Sequence, residues 1–214
     1  MNKDTKCPAC RWRRRKEARP SEILDAALKL FTEHGYNATT LDQVAKAAGI
    51  SKGTLYLYYD SKEELFRCMV RELLVPQVER FEQQASGFDG SAAELLRAMA
   101  HGWWNEVGDT PLAGMPKLMV SEASNFPELA RFYVEQIIER GRKLVAGILQ
   151  QGIDRGEFKP CDTDLAARLL LAPLVFAAIW KNSLAPHDAP YSVKDYINLQ
   201  IDLTLNGLIN KQSQ

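Results

Sequence analysis

Cysteine is scarce in this chain: Cys7, Cys10, Cys68 and Cys161 are the only four in 214 residues, too few and too scattered for a disulfide framework. Cys7-Pro-Ala-Cys10 has the spacing of half a zinc site, but no second pair stands near it. The three histidines, His34, His101 and His187, fall in separate segments without ligand spacing, so no metal is expected. The chain has no G-x-S-x-G, no Walker loop, no G-x-G-x-x-G and no H-E-x-x-H, which removes the common catalytic and cofactor constellations. We expect neither an enzyme nor a cofactor. Apolar runs stop short of the roughly 20 residues that span a bilayer; the most apolar, Leu169–Trp180, is bounded by Arg168 and Lys181. The basic N-terminus has no apolar segment behind it and is not a secretory signal, so a cytoplasmic protein is expected. Period-two alternation is absent, and with it any expectation of a sheet.

Net charge is also absent, with 27 basic and 27 acidic residues, but the balance is uneven along the chain. Residues 1–70 hold 13 Lys/Arg against 9 Asp/Glu, and residues 71–214 hold 14 against 18. A basic head on an acidic body suits a protein that meets nucleic acid with one end. Residues 1–20 form a basic arm with eight Lys/Arg against Asp4 and Glu17, open to two readings: a solvated tail, or an arm that lies on phosphates or in a minor groove.

The most informative stretch is Leu41–Leu65, LDQVAKAAGISKGTLYLYYDSKEEL. Leu41, Val44, Ala45 and Ala48 share one helical face, and Gly49 supplies the positive φ of a tight turn. Ser51 can cap a second helix whose inner face is Leu55 and Tyr59, leaving Lys52, Gly53, Thr54, Tyr56 and Tyr58 on or near the outer face. Upstream, Ser21–Gly35 is amphipathic, with Ile23, Ala27, Leu30 and Phe31 on one stripe; downstream, Ser61 and Glu64 form an S-x-x-E capping box. Helix, glycine turn and a second helix with small polar and aromatic residues outside is the layout of a DNA-binding helix-turn-helix.

The segment Ser21–Phe66, ILDAALKLFTEHGYNATTLDQVAKAAGISKGTLYLYYDSKEELF within it, resembles the DNA-binding domain of the TetR family of bacterial transcriptional regulators. The resemblance implies an all-α fold: a small three-helix helix-turn-helix domain at 21–66, then a larger helical ligand-binding and dimerisation domain at 67–214. It implies that Lys52, Gly53, Thr54 and Tyr56, with Ser51 at the start of their helix, approach base edges or adjacent backbone. Thr40, Tyr58 and Lys62 match positions that usually hold phosphate. Leu57, where many relatives carry tyrosine, departs from the common pattern. The partners implied are a palindromic double-stranded operator, a second copy of the chain and a small hydrophobic effector. The resulting function is a ligand-responsive repressor released from DNA by an apolar or amphipathic molecule. A second reading, a helical small-molecule-binding or structural module whose helix-turn-helix is only a scaffold, is opposed by the outer face of 51–62, which has no acidic residue except Asp60.

Beyond residue 66 the pattern stays helical, with helices expected near 62–84, 91–107, 111–122, 126–152, 162–185 and 192–210, and Pro76, Pro116 and Pro173 placed to kink or interrupt them. Met99, Trp103, Trp104, Met115, Met119, Phe132, Phe176 and Trp180 are the candidate lining of an apolar pocket, with His101, Asn105 or Glu122 as polar anchors. Adjacent tryptophans point about 100° apart on a helix, so only one can sit squarely in a core. The last two helices carry apolar side chains on more than one stripe, Leu165, Leu169, Ala172, Phe176 and Ile179 on one, and Ile197, Leu199, Ile201, Leu203 and Leu205 on the other. One side would pack on the body and the other on a partner.

Overall fold

The computed structural model describes residues 20–209. Cys7, Cys10, Trp12 and all of the basic arm but Pro20 lie outside the described residues, and Pro20 itself opens the first helix. Among the described residues the regular structure is helical, joined by a single isolated antiparallel bridge between Phe158 and Ile209.

Helix α1 (Pro20–His34) buries Ile23, Leu24, Ala27, Leu28 and Phe31 and stops at Gly35, whose φ of +87° no β-carbon-bearing residue adopts easily. Thr40 then caps α2 (Leu41–Ala47) with a full capping box: its hydroxyl accepts from Gln43 N at 3.3 Å, and the Gln43 side chain accepts from Thr40 N at 2.7 Å. Gly49 turns the chain, and Ser51 caps α3 (Lys52–Tyr56) by accepting from Thr54 N at 3.1 Å. Leu55 and Tyr59 face inward, as the spacing predicts. Ser61 caps α4 (Lys62–Met69), but the predicted box there is half made, because Glu64 reaches back to Asp60 N rather than Ser61 N.

Two rods in the body are continuous helices interrupted by a widened turn, and a third ends in one. Helix α4 passes through a π-turn (Val70–Leu74) into α5 (Val75–Ser86), so the proposed boundary after residue 66 falls inside one rod. Pro76 lacks the N–H that an α-helix would use, and it sits directly after that turn. Helix α6 (Ala92–Trp103) likewise runs into Trp104–Gly108, and α8 (Pro127–Tyr133) runs through Val134–Ile138 into α9 (Glu139–Asp154). Between them lies the short α7 (Gly114–Glu122), where Pro116 occupies the first turn, so its missing donor breaks no helical bond.

Helix α10 (Thr163–Lys181) and α11 (Val193–Leu208) complete the chain. By length and composition α10 could cross a membrane, contrary to the count of apolar runs, but it packs against α7, α9 and α11. Two apolar cores result. The first joins α1–α4 to Met115, Leu118, Leu129 and Phe132 of α7 and α8; the second joins α5, α6, α9, α10 and α11. The head is therefore not a separate globule: its core runs on into the body through α7 and α8.

Candidate nucleic-acid interface and ligand cavity

The outer face of α3 is small and open. Lys52, Gly53, Tyr56 and Leu57 are exposed, Tyr56 by 42% and Leu57 by 69%, on a turn whose inner side is pinned by fully buried Leu55. Lys52 Nζ lies 2.8 Å from Asp42 Oδ2 and 5.8 Å from the Tyr56 ring centroid. The hydrogen bond to Asp42 raises its pKa above the usual lysine value. Ser51 Oγ and Thr54 Oγ1 are 2.8 Å apart, so the two hydroxyls are oriented as a pair. Thr40 is exposed beside this face, whereas its neighbour Thr39 is buried, donating to the carbonyls of Leu30 and Gly35. Tyr58 is half-buried and packs on the head core. Ser51, Lys52, Gly53, Thr54 and Tyr56 thus belong to α3 and its cap, Thr40 caps the helix before it, and Tyr58 follows it.

Lys62 is different. Its ammonium donates to the carbonyls of Tyr36, Asn37 and Thr39 at 2.8, 3.2 and 3.0 Å and stands 4.4 Å from the Tyr36 ring centroid. With three carbonyls meeting its three donors, Lys62 ties α4 to the loop after α1 in the DNA-free head. Burial lowers its pKa, and Tyr36 beneath it is pushed up to about 12, first by burial and then by the Glu63 carboxylate.

In the body a cavity of about 850 Å³ opens among α5, α6, α7, α9 and α10. Of the eight residues predicted to line it, Met99, Trp103, Met119 and Phe176 do so. Trp104 does not; it is the tryptophan buried in the core, with the Lys181 ammonium over its ring at 5.6 Å. Met115 is fully buried on the head side of α7, Phe132 receives the guanidinium groups of Arg67 and Arg71 on its ring, and Trp180 meets the Phe176 ring at a tilt, 5.7 Å between centroids, without lining the cavity. The predicted anchors fail too. His101 bonds to Asn198, Asn105 is exposed, and Glu122 points at the head.

The polar groups that do reach the cavity are Gln77, Tyr133, Arg142, Arg168 and Tyr196. Tyr133 is buried, and burial raises its phenol well beyond the ordinary range. A signal for Arg142 was present in the sequence: it occupies the i+4 slot after Ile138 on the stripe that continues through Val145 and Leu149, where an apolar residue would be expected.

Helix α7 stands between cavity and head. Pro116, Met119 and Val120 line the cavity. Its other side packs on α1, with Gly114 so close to Thr32 that an added β-carbon would come within 2.6 Å. At its end Glu122, 8% exposed, accepts from Asn37 N at 3.2 Å and from Asn125 Nδ2 at 3.3 Å. The same helix therefore touches whatever fills the cavity and the loop leading into the helix-turn-helix. Leu165, Leu169 and Phe176 of α10 and Leu199 and Leu203 of α11 are exposed, each by more than half, and Phe176 also lines the cavity. Ile197, Ile201 and Leu205 of α11 are buried on the opposite stripe, so the double pattern read from the sequence holds.

A family model described as "Bacterial regulatory proteins, tetR family" matches residues 23–69, and one described as "Tetracyclin repressor-like, C-terminal domain" matches residues 89–194. The chain is 28% identical over 200 residues to the fatty acid metabolism regulator protein of Bacillus subtilis (strain 168), covering 92% of this chain and all of that one. It is 30% identical over 190 residues to the HTH-type transcriptional repressor KstR2 of Rhodococcus jostii (strain RHA1), covering 87% and 91%. The solved structure of the ketosteroid transcriptional regulator KstR2 of Mycobacterium tuberculosis superposes with a TM-score of 0.70 at 25% identity, over 92% of this chain and 98% of that one.

Proposed function

The chain belongs to the TetR family of bacterial regulatory proteins, and from that premise we propose how its residues divide the work of a ligand-responsive repressor. Residues 21–66 bind DNA and residues 67–214 bind ligand and partner. Tyr56 and Thr54 meet base edges, Lys52 and the Gly53 backbone close on the DNA beside them, and Thr40, Ser51 and Tyr58 hold phosphates and set register. Two copies, joined through the exposed faces of α10 and α11, present two α3 helices to an inverted repeat with half-sites one helical turn or somewhat more apart. The protein works in the cytoplasm, where its operator is, and performs no chemistry on its ligand. The scaffold reading gives way to regulation because the relatives are transcriptional regulators across both halves of the chain.

The observation that carries the mechanism is the double contact of α7, cavity on one side and head on the other. A ligand that wedges against Pro116, Met119 and Val120 shifts α7, and Glu122 passes the shift to Asn37. Ligand and DNA share no residue, so their coupling is a population shift between two spacings of the heads, typically about 1–3 kcal/mol or 5–150-fold, and it acts equally in both directions. The effector is an apolar or amphipathic small molecule. Fatty acyl and steroid compounds are the classes that the relatives' names indicate, and the cavity's size and apolar lining suit both. The test is selection from random duplexes with the full-length protein, followed by titration of the recovered duplex with fatty and steroid compounds. An inverted repeat released by a cavity-binding compound is the expected result. Recovery of no inverted repeat sinks the DNA-binding assignment, and tight ligand binding that leaves the DNA complex intact sinks the coupling.

A further inference from the structure

We propose that the ligand of the cavity is an amphipathic anion, whose apolar part fills the interior and whose carboxylate or phosphate rests on Arg142 and Arg168 at the mouth. This rests on the reading of the cavity as the effector site and adds the charge of what enters it.

The walls are almost wholly apolar, so a guanidinium among them is an expensive group that needs an anionic partner. Arg142 is such a group: its side chain is 19% exposed, and its Nε is buried without an acceptor. Asp164 Oδ1 lies 3.2 Å from that nitrogen at an angle that makes no hydrogen bond, and Nη1 reaches Asp164 Oδ2 at 3.4 Å. Arg168 Nε lies 3.2 Å from the same Oδ2. Two guanidiniums thus share one carboxylate, leaving one positive charge uncompensated and most of their ten N–H donors unused. The neighbouring Arg140 shows the alternative on the same helix, paired through two nitrogens with Glu82 and pointing away from the cavity.

Position completes the case. The lining residues that also reach solvent are Val120, Ile138, Arg168, Ala172 and Phe176, and these frame the opening. Arg168 is 55% exposed, so the two cations lie at graded depth along the entrance. An apolar body inside with an anion at the rim matches that gradient. A neutral hydrocarbon leaves Arg142 and Arg168 sharing the single carboxylate of Asp164, with the Arg142 Nε still lacking an acceptor, and a cationic amphiphile adds a like charge beside them. A free acid brings its carboxylate to this position, and a thioester carrier brings phosphate instead; both are anions that a fork of N–H donors can hold in two-pronged geometry.

The test follows tryptophan emission of the full-length protein, Trp103 being part of the wall. It is titrated below micellar concentrations with hexadecanoate, hexadecanol, hexadecyltrimethylammonium and hexadecanoyl-coenzyme A. Hexadecanoate should bind at least about tenfold more tightly than hexadecanol, and the ammonium compound more weakly than either, as expected for a charge-assisted pair. Arg142→Met should erase the preference for hexadecanoate while leaving hexadecanol binding as it was. Arg168→Met, at an exposed position that the fold tolerates, should reduce the preference in part, and a thermal melt of each variant checks folding. Equal binding of hexadecanoate and hexadecanol to the unaltered protein overturns the anion assignment, as does a parallel loss of both in the two variants. Failure of every probe to bind sinks the cavity reading itself, which is a different result. A tighter hold on the coenzyme A thioester, lost in the same variants, identifies phosphate as the anion; a weaker hold identifies the free acid.

Discussion

A β-carbon at Gly53 would meet nothing nearer than Ser51 Oγ at 3.9 Å, and the backbone there is not in the positive-φ region. The fold does not require glycine at this exposed helical position, so the reason for it lies outside the protein, where a duplex would close on the backbone. Gly53→Ala should therefore hold or raise stability, by up to about 1 kcal/mol from helix propensity, while operator affinity falls at least about tenfold if a methyl intrudes on a base-edge contact. Melting curves and binding isotherms on one preparation separate the two effects; unchanged DNA affinity would remove Gly53 from the interface. Tyr36 makes the opposite kind of statement, about the inside of the head. Its phenol ionises near the ordinary value of 10 when unfolded but is pushed up to about 12 in the fold, so the native state keeps a proton that the unfolded state loses. Stability from this group is complete below pH 10 and declines as pH rises toward 12, by an order of 2–3 kcal/mol. Buried Tyr133 shifts in the same direction and adds to the decline. Tyr36→Phe should flatten the alkaline arm of the stability curve by its own share, and an unchanged slope would show that the phenol titrates freely.

At the scale of elements, α7 decides whether ligand and DNA know of each other. Among the described residues Glu122 gives α7 its side-chain hydrogen bond to the head, a nearly buried carboxylate accepting the Asn37 amide. Glu122→Ala should leave ligand affinity nearly as it was, because the residue does not line the cavity, yet remove most of the effect of ligand on DNA. Parallel isotherms for ligand and for operator, each with and without the other, measure that coupling; a variant that still releases DNA over the same ligand range would place the coupling elsewhere. The sequence made some of these elements plain and left others dark, for physical reasons. Helix boundaries were legible because side-chain caps are local: Thr40, Ser51, Ser91, Asp162 and Ser192 each accept from an amide three residues on. Which neighbour a buried residue faces was not legible. Met115 and Met119 are one helical turn apart and share the head-side core, yet only the second also lines the cavity. Periodicity reports that a side chain leaves water, not which helix receives it. Trp103 and Trp104 illustrate the limit: one was bound to lie outside the core, and only packing shows that it is Trp103. The tie that Lys62 makes to the loop after α1 was not legible because its acceptors lie more than twenty residues away in the chain.

For the whole molecule the issue is how a neutral protein holds a polyanion. The exposed leucines of α10 and α11 supply one part of the answer by doubling the contact. Replacing Leu169 and Leu203 with glutamate should give monomers in sedimentation and abolish operator binding without unfolding either copy, since both side chains are about two-thirds exposed. A dimer that survives both changes would move the interface. Charge supplies the other part. Residues 20–70 carry five basic side chains, Lys29, Lys46, Lys52, Lys62 and Arg67, against seven acidic ones. Of those five, Lys62 is spent on backbone carbonyls, Arg67 is paired with Glu63, and Lys52 is paired with Asp42. The folded head alone is thus a poor counterion for DNA, and the basic excess of the N-terminal end resides in the eight Lys/Arg of residues 1–19. Each phosphate neutralised by such a residue releases counterions and steepens the fall of affinity with salt by roughly one in the logarithmic slope. Removal of residues 1–19 should therefore weaken all DNA sequences alike and flatten that slope by several units per dimer, while the preference of α3 for its operator over random duplex persists. Binding isotherms from low to moderate salt with the full and shortened chains make the comparison. An unchanged slope would mean that the arm never meets phosphate, and a lost preference for the operator would mean that it reads bases as well.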